Sequence, residues 1–396
     1  MGYYDTIRNP SIFQRTAVAK GMLSFGRLKE QTAVSRWGVD RLFACRVLCS
    51  QPSNVLPFLA DRVPKIEVDI HPCIESLIRG PREALSELSQ MAEVQIVRSY
   101  QPESLGYIWA ALASLLRPRD DVPDTSTSDN DAEGAGTQGS NTAGGRSSER
   151  SRTRTDHGPF VPSDTMQVAS SSPVDSDNDR PDTALSVPSS IGFVESSAPL
   201  VEDHTVRFAN CLIRCVLNYA QPLNKGLPFL EFRDERLAYV YGRDEGGIFK
   251  AIDDGGIQLR QKGLRAQVAI LEAKRSFQDI INGVPSVSDE LLAQVVGEAL
   301  ALNNDRVVKI SNNNIISIVA VQHYVKFFHL HIPDDFMRDI QTQLPANGCD
   351  SYLRAASTDW FDMTQPSGRR YFVRHMLAVI AWADESESED YTDMDE

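Results

Sequence analysis

Along residues 202–220 the apolar side chains Ala209, Leu212, Ile213, Val216, Leu217 and Ala220 return every three or four positions, with charged residues between them. That period predicts an amphipathic helix. The pattern then changes. "FLEFRDERLAYVYG" (229–242) has the aromatic, alternating character of strand, with a break near Asp234. "GIFKAI", the turn-forming "DDGG" and "IQLR" predict a second strand that bends, or a short hairpin. "AQVAILEAKR" (266–275) is a third strand. Alternation places Val268, Ile270, Glu272 and Lys274 on one face and Ala269, Leu271 and Ala273 on the other. A strand apolar on both faces is covered on both sides, so a charged pair at its end is partly desolvated.

Helical spacing resumes over 286–304, where Leu291, Leu292, Val295, Val296, Ala299 and Leu300 form a stripe behind a polar start. Two β-branched or aromatic runs follow at 315–321 and 324–332, then helical patterns near 334–343 and 367–383. The order helix, three strands, helix, two strands, helix predicts an α/β (α+β) chain with a mixed central β-sheet flanked by helices. Residues 1–117 read as a helical N-terminal region, best seen at 39–49, 83–94 and 104–116. This region either covers part of the second domain or forms a separate module for a protein partner.

Composition divides the chain. Residues 118–200 contain almost no large apolar side chains, which predicts a disordered linker rich in Ser, Asp, Gly and Pro, because little surface is there to offset the entropy of ordering. The folded regions expected are therefore 1–117 and 201–383, followed by an acidic disordered tail at 384–396 in which Ser386 and Ser388 are candidate phosphorylation sites. The net charge of −14 is concentrated in the parts expected to be flexible: 201–383 carries 20 basic against 21 acidic residues, whereas the tail has 8 acidic residues and no basic one. A near-neutral domain admits local nucleic-acid contact but offers no broad basic face.

Cys45 and Cys49, and Cys211 and Cys215, are four apart, one helical turn, and six scattered cysteines do not make a secreted disulfide framework. With no apolar run near eighteen residues and no leader, the expectation is an intracellular protein, nuclear or cytoplasmic, not secreted and without a membrane span. His329 and His331 share a strand face with no third ligand nearby. "GRR" (368–370) with Arg374 is either a phosphate-facing patch or a solvated helix face.

The chemistry concentrates in Asp254, Glu272 and Lys274. Two carboxylates on adjacent strand ends suit Mg²⁺ or Mn²⁺, which bind few protein ligands and keep sites for water and phosphate oxygens. Such an ion polarises a phosphoryl group and activates water. A lysine two residues beyond the ligand, about 6–7 Å along the same strand face, can orient that water or offset transition-state charge. The competing readings are a charged strand end for Glu272 and Lys274, a β-turn for Asp253 and Asp254, and an ordinary polar helix position for Gln294.

A leading helix, an Asp at the second strand ("IDDGGI"), a Glu-x-Lys ending the third ("LEAK") and a following helix with Gln294 ("LLAQVVGEAL") resemble the PD-(D/E)XK, or restriction-endonuclease-like, nuclease superfamily. More narrowly, they resemble the nuclease-like proteins of filamentous fungi. The resemblance covers about residues 202–332 and implies a restriction-endonuclease-like core and a metal-dependent hydrolase of DNA or RNA phosphodiester bonds. It implies that Asp254 and Glu272 bind the metal, that Lys274 assists the attacking water, and that Gln294 supports the site. Glu202 or Glu231 would be an additional ligand. Ile252 stands where the pattern has proline, so Asp253 remains an alternative ligand to Asp254, which is favoured by "DGGI". A second function class follows if the fold persists without catalysis, as a binding module for protein or nucleic acid. A groove of Lys262, Arg265, Lys274 and Arg275 beside the carboxylates would favour nucleic acid.

Overall fold

The computed structural model describes residues 2–28, 33–64, 70–117, 202–242, 249–261, 263–281, 283–342 and 349–392, with side chains as far as 386. The 118–200 linker, Lys262 and the side chain of Ser388 lie outside the described residues. The elements that position the site are the strands β1 (Val47–Cys49), β2 (Phe229–Arg233), β3 (Ala238–Tyr241), β4 (Phe249–Ile252), β5 (Gly256–Gln261), β6 (Leu264–Lys274), β7 (Asn314–Val321), β8 (Tyr324–His331), β9 (Leu353–Ser357) and β10 (Phe361–Asp362). Four long helices accompany them: α1 (Glu103–Leu116), α2 (Glu202–Ala220), α3 (Asp289–Asn304) and α4 (Pro366–Thr392).

The large sheet has the order β1-β9-β8-β7-β6-β5-β2, with β10 also paired to β8. β2, β5 and β6 are antiparallel neighbours; α3 then carries the chain to β7, which runs parallel to β6, and β8 returns antiparallel. The mixed α/β sheet flanked by helices is thus present. The expected first two strands are four. β3 and β4 pair with each other in a separate ladder, and the chain bends at Asp253–Gly255 to enter the main sheet as β5. Gly255 permits the bend: its φ is +138°, and a Cβ there would lie 2.8 Å from the Arg233 carbonyl oxygen.

Two cores lie on opposite faces of this sheet. One joins Ala269, Leu271, Ile316 and Ile318 to α1, α2 and α4; the other joins Ile270, Ile315, Val319 and Val321 to α3 and to residues 3–49. Val268 leaves the Ile270 face expected from simple alternation. The register skips it between the pairs Ile257–Ala269 and Gln258–Gln267, so Val268 and Ala269 both enter the first core.

α3 begins where Ser288 accepts a hydrogen bond from the Leu291 amide at 3.1 Å. Every residue from Leu291 to Leu302 is buried, because the N-terminal region covers the side of α3 away from the sheet. A Cβ on Gly297 would meet Val34 and Trp37 of that covering layer. Residues 56–115 pack into the opposite core, so the described parts of 1–117 and of 202–392 fold as one unit with β1 on its sheet edge, parallel to β9.

Two local expectations are corrected. The helix expected through 39–49 stops at Ala44, Arg46 adopts φ +48°, and Val47–Cys49 is strand, so Cys45 and Cys49 do not share a helical face. The acidic end is helical as far as Thr392, because α4 continues beyond residue 383. Among the described residues no helix is long and apolar enough to cross a membrane.

Candidate functional site

β6 finishes beside the middle of α3, and the polar side chains of the Ile270 face meet there. Glu272 is 0 % exposed and stands in register with Val319 of β7. Gln294 on α3 donates from Nε2 to Glu272 Oε1 at 2.6 Å and to Glu298 Oε1 at 2.9 Å. Lys274 Nζ lies 2.7 Å from the same Glu272 oxygen, an ion pair set off the line of a directed hydrogen bond. Glu272 Oε2 is buried without a hydrogen-bond partner.

Asp254 joins the group from the β4–β5 bend. Its amide donates to the Leu271 carbonyl at 2.9 Å, and its Oδ2 accepts from the Ala273 amide at 2.9 Å, which holds the carboxyl against the end of β6. Arg236 approaches Oδ1 at 3.2 Å. Burial first, then the Glu272 and Glu202 charges, push the Asp254 carboxyl up to about 8, and the Ala273 amide and Arg236 offset this only in part. Glu298 rises well above the carboxylate range, through burial and then the Glu272 charge. Burial draws Lys274 down, but Glu272 with Glu202 and Glu298 outweighs it, and the lysine keeps its proton more tightly than a free one.

The neighbouring Asp253 has a different environment. Its carboxylate accepts from Arg233 Nη2 at 2.6 Å and Nη1 at 3.1 Å, from the Tyr239 hydroxyl at 2.6 Å and from the Leu237 amide at 2.9 Å. Both of its oxygens are committed, so the bend is tied by Asp253 while Asp254 faces Glu272.

The structure therefore brings Asp254, Glu272, Lys274 and Gln294 together and turns Asp253 away. Glu202, at the start of α2, acts electrostatically on both Asp254 and Lys274, whereas Glu231 pairs with Arg260 at 3.1 Å. Sequence reasoning missed Glu298 as a member of the cluster; the available signal was its place one turn beyond Gln294 on the same stripe. It also missed Arg233, Tyr239 and Arg236, whose approach depends on the β2–β3 turn. Lys274 and Gln294 line a cavity of about 280 Å³ with Arg275, Phe277, Gln278 and Ser288. Arg265 is not part of that rim: it pairs in register with Arg260 near the opposite end of β6, nine residues and about 30 Å from Lys274.

Two other candidates have structural partners. His329 and His331 both approach Asn314 Oδ1, at 3.0 and 3.3 Å, and Phe58 stacks on His329, whose pKa is lowered to about 4 by burial and then by His331. Arg369 is buried and donates to the carbonyls of Ile78, Arg79 and Met363, so it fastens the start of α4 rather than facing phosphate.

No family model, curated protein or solved structure matches this chain.

Proposed function

We propose that the chain is a metal-dependent phosphodiester hydrolase of the PD-(D/E)XK type, acting on DNA or RNA with Mg²⁺ or Mn²⁺. The observation that carries this reading is the meeting of Asp254, Glu272, Lys274 and Gln294 at one end of β6, on the strand order β2-β5-β6 antiparallel and β6-β7 parallel across α3. A helix, an antiparallel three-strand meander in the main sheet, a second helix and a parallel strand also suit the restriction-endonuclease-like core.

The donor set fits a hard divalent ion. Glu272 Oε2 is buried and unpartnered, and the Asp254 carboxyl, crowded by negative charge, is suited to exchanging its proton for a cation. Among the described residues no group of three or more His, Cys, Asp or Glu converges as ligands, so Asp254 and Glu272 would hold the ion as a pair, a number magnesium commonly accepts. The chemistry such an ion supplies is Lewis acidity toward the phosphate.

The protein's own groups do the rest. Lys274, charged and lining the cavity, offsets negative charge on the reacting phosphate and orients water. Gln294 fixes the Glu272 carboxylate through Oε1 and leaves Oε2 free for a ligand. Protonated Glu298 accepts the second Gln294 hydrogen bond without adding a full negative charge behind the site.

Calorimetric titration of Mn²⁺ into the full chain tests the ion site, with binding expected in the wild type and lost in Glu272→Gln. Binding that persists unchanged in Glu272→Gln would contradict it. The second reading, a nuclease fold kept as a binding module, is favoured by the depth of the carboxylates and by the separation of Arg265 from the Lys274 rim. It requires a well-folded protein that binds nucleic acid or protein and cleaves neither DNA nor RNA.

A further inference from the structure

Outside the β6 cluster, a pair of buried cysteines joins the two stretches of sequence on either side of residue 118. Cys73 lies in the first turn of the helix Pro72–Arg79, and Cys215 lies on the buried face of α2. Their sulfurs are 3.6 Å apart although the residues are 142 positions apart in sequence. The cysteines are 2 % and 1 % exposed.

We infer that Cys73 and Cys215 are a redox-active pair that closes to a disulfide, clamping the helix Pro72–Arg79 to α2. A disulfide has an S–S separation of about 2.05 Å, so the sulfurs must approach by about 1.5 Å, within reach of small side-chain rotations. The helix and α2 already pack in one core through Ile74, Leu77, Leu212 and Val216, so closure needs no rearrangement of the fold.

The two thiols are not equivalent. The contact with Cys215, followed in effect by burial in the opposite direction and then by Ser104, leaves Cys73 more acidic than a free thiol, while Cys215 is pushed up by the same contact and by burial. Cys73 also lies in the first turn of its helix, where the backbone dipole favours a thiolate, which places it to attack first with Cys215 as the resolving partner. Neither sulfur lines the neighbouring cavity of about 1230 Å³, but residues beside both do, His71, Pro72 and Ile74 next to Cys73 and Asn218 and Tyr219 one turn from Cys215, so a local opening of that wall is the route for a small oxidant.

The oxidant is a peroxide. The Cys73 thiolate attacks one peroxide oxygen, the O–O bond breaks, and hydroxide leaves and is protonated to water, giving a sulfenic acid at Cys73. The Cys215 sulfur then attacks the Cys73 sulfur. Hydroxide leaves and takes up the thiol proton, so two thiols and one hydrogen peroxide become one disulfide and two waters. The cross-link closes a long loop that spans residues 118–201, the case in which constraint of the unfolded chain is greatest.

The test is made on the full chain. Protein treated with hydrogen peroxide is alkylated, digested without reductant and mapped by mass spectrometry, and its melting temperature is measured before and after dithiothreitol. The expected result is a Cys73–Cys215 cross-linked peptide two hydrogens lighter than its parts, with a Tm rise of roughly 5–10 °C that dithiothreitol reverses. Both changes should vanish in Cys215→Ser and persist in Cys211→Ser. Recovery of Cys73 and Cys215 as separately alkylated or over-oxidised peptides, or a cross-link from Cys73 to Cys211, would overturn the inference. Mapping the wild-type protein decides the matter even if Cys215→Ser does not fold.

Discussion

Replacing Asp253 by alanine should unfold the protein far more readily than replacing its neighbour Asp254. Asp253 is 0 % exposed and its partner Arg233 is also buried, with Nη2 to Oδ2 at 2.6 Å. Removing one member of a buried ion pair leaves the other charge without compensation, which costs about 3–5 kcal/mol. The Tyr239 hydroxyl and the Leu237 amide lose their acceptor at the same time, which places the loss toward the upper part of that range. At about 2–4 °C for each kcal/mol in a domain of this size, the melting temperature should fall by roughly 6–20 °C. Asp254→Ala gives up one amide hydrogen bond and the half-buried Arg236, but it also removes a carboxyl crowded against Glu272 and Glu202. Its net effect should stay within about 1 kcal/mol, since the lost hydrogen bond is itself worth about that much. Urea unfolding of both variants, followed by circular dichroism, measures the difference. A loss below about 1 kcal/mol for Asp253→Ala, or equal losses for the two variants, would refute the assignment of Asp253, rather than Asp254, to holding the bend together.

Other expected outcomes follow from single contacts. Lys326 is buried against Ser357 and Thr358, and burial lowers its pKa to about 7. Because the unfolded chain holds that proton up to about pH 10.5, stability should rise as pH climbs from 7 toward 10, by about 1.4 kcal/mol for each pH unit at most. Lys326→Met should flatten that slope in urea titrations at pH 7 and 9, and an unchanged slope would count against the buried lysine as its source. Gly255→Ala forces an L-residue to φ +138° against the Arg233 carbonyl and should cost about 1–3 kcal/mol by the same denaturation assay. Gln294→Ala removes the donor shared by Glu272 and Glu298, and should cost about 1–3 kcal/mol while weakening Mn²⁺ binding in calorimetry.

Much of the site was legible in the sequence because its carriers are strongly patterned. The stripe of α2, the double-apolar run of β6 and the buried stripe of α3 fixed three elements, and alternation put Glu272 and Lys274 on the face that α3 covers. The bulge at Val268 did not disturb this, since it lies before Ile270. What was not legible depends on distant partners. Val47–Cys49 follows a helical stripe directly and becomes strand because it pairs with Leu353–Ala355, some three hundred residues later. Asp253 and Asp254 look alike in "IDDGGI", and only the approach of Arg233 and Tyr239 to one, and of Ala273 and Arg236 to the other, tells them apart. Whether Arg265 stands beside Lys274 and Arg275 was likewise not legible, and it does not, because β6 is long enough to carry its two ends far apart.

The most direct measurement is cleavage itself. Full-length protein and Lys274→Ala are incubated with labelled single- and double-stranded DNA and RNA, with Mg²⁺ or Mn²⁺ and with chelator. Metal-dependent cleavage of at least one substrate by the wild type is expected, abolished by chelator and reduced at least about 100-fold in the variant, the scale on which loss of a charge-stabilising group acts. Folded wild-type protein that cleaves none of these substrates, or cleavage that Lys274→Ala leaves unchanged, would contradict the proposed function.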